Sequence, residues 1–226
     1  MAIDTYAKLQ AAVGDTANRD DMFADVTAYS PSTIDGMVKR AIANATAGIQ
    51  RDLVSRGGNK NMESLTSSLT TALGVEYMDF PTDFAGARTF LIATDPVQIL
   101  EFVDPTTLFT QYPNATTGKP EKYTIVGTNR AYMRPIPDAS YATKLIYTQQ
   151  IPALSTTNTT NWVLTYHPDI YVERSMMEIS IFLENDDRLQ YWKGYYDQNV
   201  NDLMGDDRNV RWAAVPTKPN LQVSIA

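Results

Sequence analysis

Apolar residues in the first sixty positions recur at helical spacing. Tyr6, Leu9 and Val13 share one face of a short helix expected to end at Gly14. Ser32 and Asp35 then form an acidic variant of a capping box, which predicts a long helix over 32–56. Ile34, Val38, Ala41, Ile42, Ala45, Ile49 and Leu53 line its apolar face, and Gly57-Gly58 is expected to stop it in the left-handed C-cap conformation.

The pattern changes from residue 63 to 165. Short apolar runs alternate with turn residues at Val75–Met78, Thr89–Ile92, Ile99–Val103, Tyr123–Val126, Ala131–Met133, Leu145–Tyr147 and Trp162–Leu164. Lys122–Val126 and Thr143–Tyr147 are rich in β-formers, with turns expected at Gly127–Asn129 and Pro137–Ser140. The run STTNTTN, 155–161, reads as a polar loop. Helix is expected again over 168–184, opened by Pro168 and Asp169, with apolar residues on more than one face. Asn185-Asp186-Asp187 breaks it and caps a helix over 187–204, whose face is Leu189, Trp192, Tyr196, Val200 and Leu203 and whose end is placed at Gly205. Residues 209–226 show no helical period and are expected to be an extended C-terminal arm.

These elements predict an α+β protein. A small helical bundle (1–62 and 166–208) carries an inserted antiparallel β region (63–165). Composition changes this picture little: 43% of the 226 residues are hydrophobic and 20% charged, as in an ordinary folded domain. No run approaches the ~18 apolar residues of a membrane helix, and MAIDTYAKLQ reads as no secretory signal. Synthesis in a cytosol is expected.

Charge and chemistry narrow the function. The net charge of −7 falls after residue 60, since residues 1–60 hold seven acids and seven bases. No basic stretch is present to neutralise a run of phosphates, which disfavours tight nucleic-acid binding. With no cysteine and a single histidine, His167, thiol nucleophiles, cysteine-ligated zinc and most histidine-based catalytic sites are excluded. Glu184, Asp186 and Asp187 lack calcium-loop spacing and are explained by a turn between helices. Gly118-Lys119-Pro120 has the Gly-Lys pair of a phosphate loop without the rest of it. No catalytic residue, metal or cofactor is expected.

Candidate interface residues are aromatic and aliphatic. Tyr191 and Tyr195 lie i, i+4 on a face beside Trp192 and Tyr196, where tyrosine suits a core or a protein interface. In the arm, Trp212, Leu221, Val223 and Ile225 are too apolar for a solvated end. They suit a strap on their own subunit, or an arm laid on a neighbour, where the alternation of 221–225 fits a strand added to a sheet edge.

Several stretches together resemble a known family. Gly118-Lys119-Pro120-x-x-Tyr123-x-Ile125-x-Gly127, Arg134-Pro135-x-Pro137-Asp138 and Leu145-x-Tyr147-x-x-x-Ile151-Pro152-x-Leu154 look like the β region of head-to-tail adaptor proteins of short-tailed bacteriophages. Trp162-x-Leu164-x-x-His167-Pro168-Asp169-x-Tyr171, the helices from Phe182 to Tyr196 and the N-terminal Tyr6-x-x-Leu9-x-x-x-Val13 extend the likeness over about residues 5–208. The chain departs in its Thr/Asn loop and after Arg208. The resemblance implies a helical bundle with a β insertion and no catalytic residues. It further implies twelve copies forming a ring beneath the portal protein in the neck or tail of the virion. Such a ring would contact a tail tube or nozzle protein, and tail fibres as a further partner, while genomic DNA passes through without specific binding. Two other classes stay open at this stage: another virion structural protein, as in a minor capsid or tail-fibre attachment role, and a phage-associated hydrolase using two carboxylates.

Overall fold

The computed structural model describes residues 2–17 and 34–212, with the side chains of 34, 35 and 208–212 excepted. The proposed capping box at Ser32 and Asp35 therefore lies outside the described side chains. Two units divide the chain. One combines residues 1–60 with 151–226, and the other comprises 61–150.

The first unit is helical. Helix α1 (Tyr6–Ala17) buries Leu9, Val13 and Ala17 at i, i+4 and i+8. It runs through Gly14 instead of ending there. Gly14 is buried, and the burial of this face outweighs the ~1 kcal/mol that glycine costs inside a helix. Helix α2 (Ile34–Ser55) ends as its two glycines predict. The N–H of Gly57 donates to Val54 O (3.0 Å) and that of Gly58 to Leu53 O (2.9 Å), the paired bonds of a Schellman motif, with Gly57 at φ 100°.

The β unit follows a short 3-10 turn (Lys60–Met62). Its strands are β1 (Glu63–Thr66), β2 (Tyr77–Asp79), β3 (Phe84–Ile92), β4 (Gln98–Ile99) and β5 (Glu101–Phe102). After helix α3 (Pro105–Gln111) come β6 (Thr117–Gly118), β7 (Lys122–Val126), β8 (Arg130–Arg134), β9 (Ile136–Pro137) and β10 (Thr143–Gln149). One sheet has the order β1-β10-β3-β4 and is antiparallel throughout; the other has the order β2-β8-β7-β5. The antiparallel expectation holds for most pairs, but β5 joins β7 in parallel, as β6 joins β9. Side chains of both sheets meet in an aromatic core: Phe90 lies edge-on to Tyr123 (5.2 Å between centroids) and to Phe80 (5.3 Å). Helix α3 carries no long apolar stripe in sequence. It is started by Asp104, whose carboxylate accepts from Thr106 N (2.9 Å) and Thr107 N (3.4 Å), with Pro105 in the first turn.

Helix resumes earlier than the apolar pattern indicated. Trp162–Leu164, expected as a strand, lies in helix α4 (Trp162–Tyr166). The reason is its cap: Asn161 Oδ1 accepts from Leu164 N (3.0 Å), satisfying a donor that a helix start leaves open. Helix α5 (Pro168–Phe182) follows. Helix α6 (Asp186–Trp212) is capped by Asn185, which accepts from Arg188 N (3.0 Å). Gly205 does not end α6. It lacks a left-handed φ, and two residues later the buried Asp207 accepts from Lys60 N (2.9 Å), anchoring the extra turns. Residues 209–212 are thus helical, contrary to the extended arm expected there; Leu221, Val223 and Ile225 lie outside the described residues.

Candidate protein-docking surfaces

The bundle positions α6 through its inner face. Tyr196, Val200 and Leu203 are buried, and Tyr196 donates from its hydroxyl to Asp52 Oδ2 of α2 (2.6 Å). Burial first, and then the hydrogen bond to the Asp52 carboxylate, hold the Tyr196 phenol well above the usual tyrosine range. The Arg174 guanidinium of α5 lies over the same ring, 5.7 Å from its centroid. Trp192 is half-buried, completing the inner face expected from the spacing.

With that face turned inward, α6 must turn Tyr191 and Tyr195 outward. Their side chains are 56% and 49% exposed, and their rings stand 4.9 Å apart. Trp192 lies edge-on to Tyr191 at 5.2 Å. Among the described residues, nothing packs this pair into a core. Trp212 is the last residue of α6, not a member of an arm.

Three further surfaces, two apolar and one of aromatic rings with arginines, were not singled out from sequence. At the end of α5, Ile181 and Phe182 are exposed beside a cleft lined with Met37, Arg40 and Asn44 of α2. In the β unit, Val97, Ile99 and Phe102 are exposed along the β4–β5 segment. On β8, the exposed Arg130, the half-buried Tyr132 and the buried Arg134 alternate on the face opposite the core. Tyr77 and Phe109 pack against Tyr132 at 6.0 and 6.3 Å, Arg130 lies over Tyr77, and Arg134 over Phe109. The period-two spacing of 130, 132 and 134 was legible; the neighbours that make it an aromatic and arginine patch come from distant segments. Its charge is balanced, because Arg130 pairs with Asp79 (2.6 Å) and Arg134 with Glu76 (2.6 Å).

The chemical candidates have structural explanations. Lys119 donates to Thr94 Oγ1 (2.6 Å), and the carbonyl of Pro120 accepts from Gln98 (3.0 Å), so the Gly-Lys-Pro stretch ties one loop to another. His167 joins α4 to α5, and its backbone N–H donates to Val163 O (2.7 Å). Glu184, Asp186 and Asp187 are exposed around the α5–α6 turn, where Glu184 takes a left-handed φ of 51°. Among the described residues no group of three potential metal-ligating side chains occurs, and no helix is long and apolar enough to cross a membrane.

One acid stands apart. Glu173 of α5 is 7% exposed; its Oε1 accepts from Asn199 of α6 (2.7 Å), and its Oε2 has no hydrogen-bond partner. Burial pushes its carboxyl up to about 7, against the opposing pull of the Asn199 hydrogen bond. It is buried where α5 meets Asn199 of α6, which makes it a matter of stability.

The surfaces capable of recognition are thus apolar, aromatic and exposed, the chemistry of protein contact. No curated protein matches the chain. A family match covers residues 4–219: the chain belongs to the SU10 adaptor protein family, a family of phage adaptors.

Proposed function

We propose that this adaptor forms a closed ring in the neck of the virion, seated beneath the portal protein and joined below to the tail tube or nozzle. The family places the chain among structural virion proteins rather than enzymes. The observation that carries the finer reading is that each unit has its own uncovered apolar surface. The helical unit offers Tyr191, Tyr195, Ile181 and Phe182, and the β unit offers Val97, Ile99 and Phe102. A protein that joins neighbours needs more than one such surface, and contiguous exposed apolar groups otherwise work against solubility. Twelve copies is the number implied by the resemblance in sequence. The net charge of −7 suits a passage through which DNA moves without adhering. In this reading Leu221, Val223 and Ile225 lie against a neighbouring subunit or the portal, and tail fibres are a further partner.

The test is class-averaged electron microscopy of the purified protein, alone and mixed with portal. Rotationally symmetric rings stacked on portal are expected. Failure to bind portal would instead favour a different structural position in the virion.

A further inference from the structure

The helical unit carries two outward stripes that match one another. On α2, Arg40, Ala47 and Arg51 lie on the side opposite the buried Ile42, Ile49 and Leu53, and all three are exposed. On α6, Tyr191, Tyr195, Gln198 and Asp202 lie on the side opposite Tyr196 and Leu203, and all four are exposed. Among the described residues, neither the Arg51 nor the Asp202 side chain takes part in an ion pair or hydrogen bond. Arg40 lies over the ring of Phe182, at 5.8 Å. Each subunit therefore presents cations on one helix and aromatic rings with a carboxylate on another.

We propose that the α2 stripe of one copy packs against the α6 stripe of the next, and that this is the helical contact that repeats around the ring. The inference rests on the ring reading above and names its interface. Arg40 and Arg51 are eleven residues apart, as are Tyr191 and Asp202. At 1.5 Å per residue both pairs span about 16 Å, three helical turns. In parallel register Arg51 meets Asp202 while Arg40 lies over Tyr191, a charge pair and a cation–π contact made together. Ala47 then meets Gln198, and its small side chain lets the helices approach. Arg188 of α6 falls a turn beyond Tyr191 and so outside the matched span.

Two features support a partner of this kind. Gly194 lies between the two tyrosines, and a β-carbon there would meet nothing within 4 Å. Among the described residues nothing requires glycine at that position, which costs about 1 kcal/mol relative to alanine in a helix. A closely packed neighbouring helix gives it a reason. The two stripes also sit on different helices, so the contact is heterologous. Repeated with a rotation that closes, a heterologous contact generates a ring, whereas a patch meeting its own copy generates a dimer.

The experiment is a charge exchange read by ring formation on portal. Arg51→Glu and Asp202→Arg should each lower the yield of rings at least tenfold, because each sets like charges against one another, and combining them in one chain should restore it. Both positions are exposed, so unchanged circular dichroism and melting of each variant check the fold. A second measurement uses the absence of cysteine from the chain: A47C/Q198C under oxidising conditions should yield a ladder of disulfide-linked multimers. Rings unaffected by the single variants, a double variant that stays defective, or a cysteine pair that remains monomeric would overturn the interface while leaving the ring intact. A wild-type protein that forms no ring at all would overturn the ring reading itself, and the interface with it.

Discussion

The guanidinium of Arg174 occupies the space where Gly48 would carry a side chain. A β-carbon built on Gly48 of α2 would lie 2.4 Å from Arg174 Nε and 2.6 Å from Nη2. Arg174 is held there by Glu178 (3.3 Å) and by the ring of Tyr196, and its side chain is 14% exposed. Gly48→Ala should therefore destabilise the protein by about 1–3 kcal/mol, the cost of displacing a packed group. In an Arg174→Ala background the same change should be neutral or stabilising, since alanine is then simply the better helix former. Urea unfolding of the four proteins measures the cycle, and an equal effect in both backgrounds would rule out the contact as the cause.

Glu173 makes stability depend on pH. Its folded carboxyl, near 7, lies above the ordinary 4.5. The folded state therefore favours the proton. The stability this contributes is present in full below the ordinary value and is lost as pH rises through about 7. Glu173→Gln keeps an oxygen to accept from Asn199 and removes the buried charge. It should stabilise by about 1–3 kcal/mol at pH 8 and have little effect at pH 5. Denaturant midpoints at the two pH values decide the matter; an effect of equal size at both would exclude titration of Glu173 as its source.

Asn161 links three elements. It accepts from Leu164 N to start α4, and its Nδ2 donates to Pro152 O (2.9 Å) and to the hydroxyl of the buried Tyr171 (2.8 Å). Asn161→Ala removes the cap and leaves buried partners unmatched, a loss expected to be about 2–4 kcal/mol. Thermal unfolding measures it. A loss below about 0.5 kcal/mol would mean that water replaces these bonds freely.

Tyr191 and Tyr195 should matter to assembly and not to the subunit. Replacing both with alanine should leave the monomer within about 0.5 kcal/mol of wild type. Ring formation on portal should fall at least tenfold, as for truncation of aromatic anchors in an interface. Sedimentation of the variant alone and with portal separates the two effects. Normal assembly would remove these tyrosines from the interface.

Elements whose signals are local could be read directly from the residues. Gly57-Gly58 ended α2, Pro168 opened α5 and Asn185 capped α6, because each acts on backbone groups within one turn. The strands at 122–126 and 143–147 were legible from β-branched and aromatic composition, and the inner face of α6 from its period. Wherever the deciding partner lay far along the chain, only the tertiary structure could settle the outcome. The apolar Trp162–Leu164 suits a strand or a helix, and the Asn161 cap, tied to Pro152 and Tyr171, selected the helix. Gly14 and Gly205 are helix-enders by propensity. Burial of Gly14 and Ala17 on one side, and the bond from Lys60 N to Asp207 on the other, carried both helices past them. The candidate surface divided in the same way. Periodicity placed Tyr191 and Tyr195 together on one face, but a helix has as many faces as it has neighbours. Which of them stayed in solvent was decided when Tyr196 reached Asp52 and took the inward side.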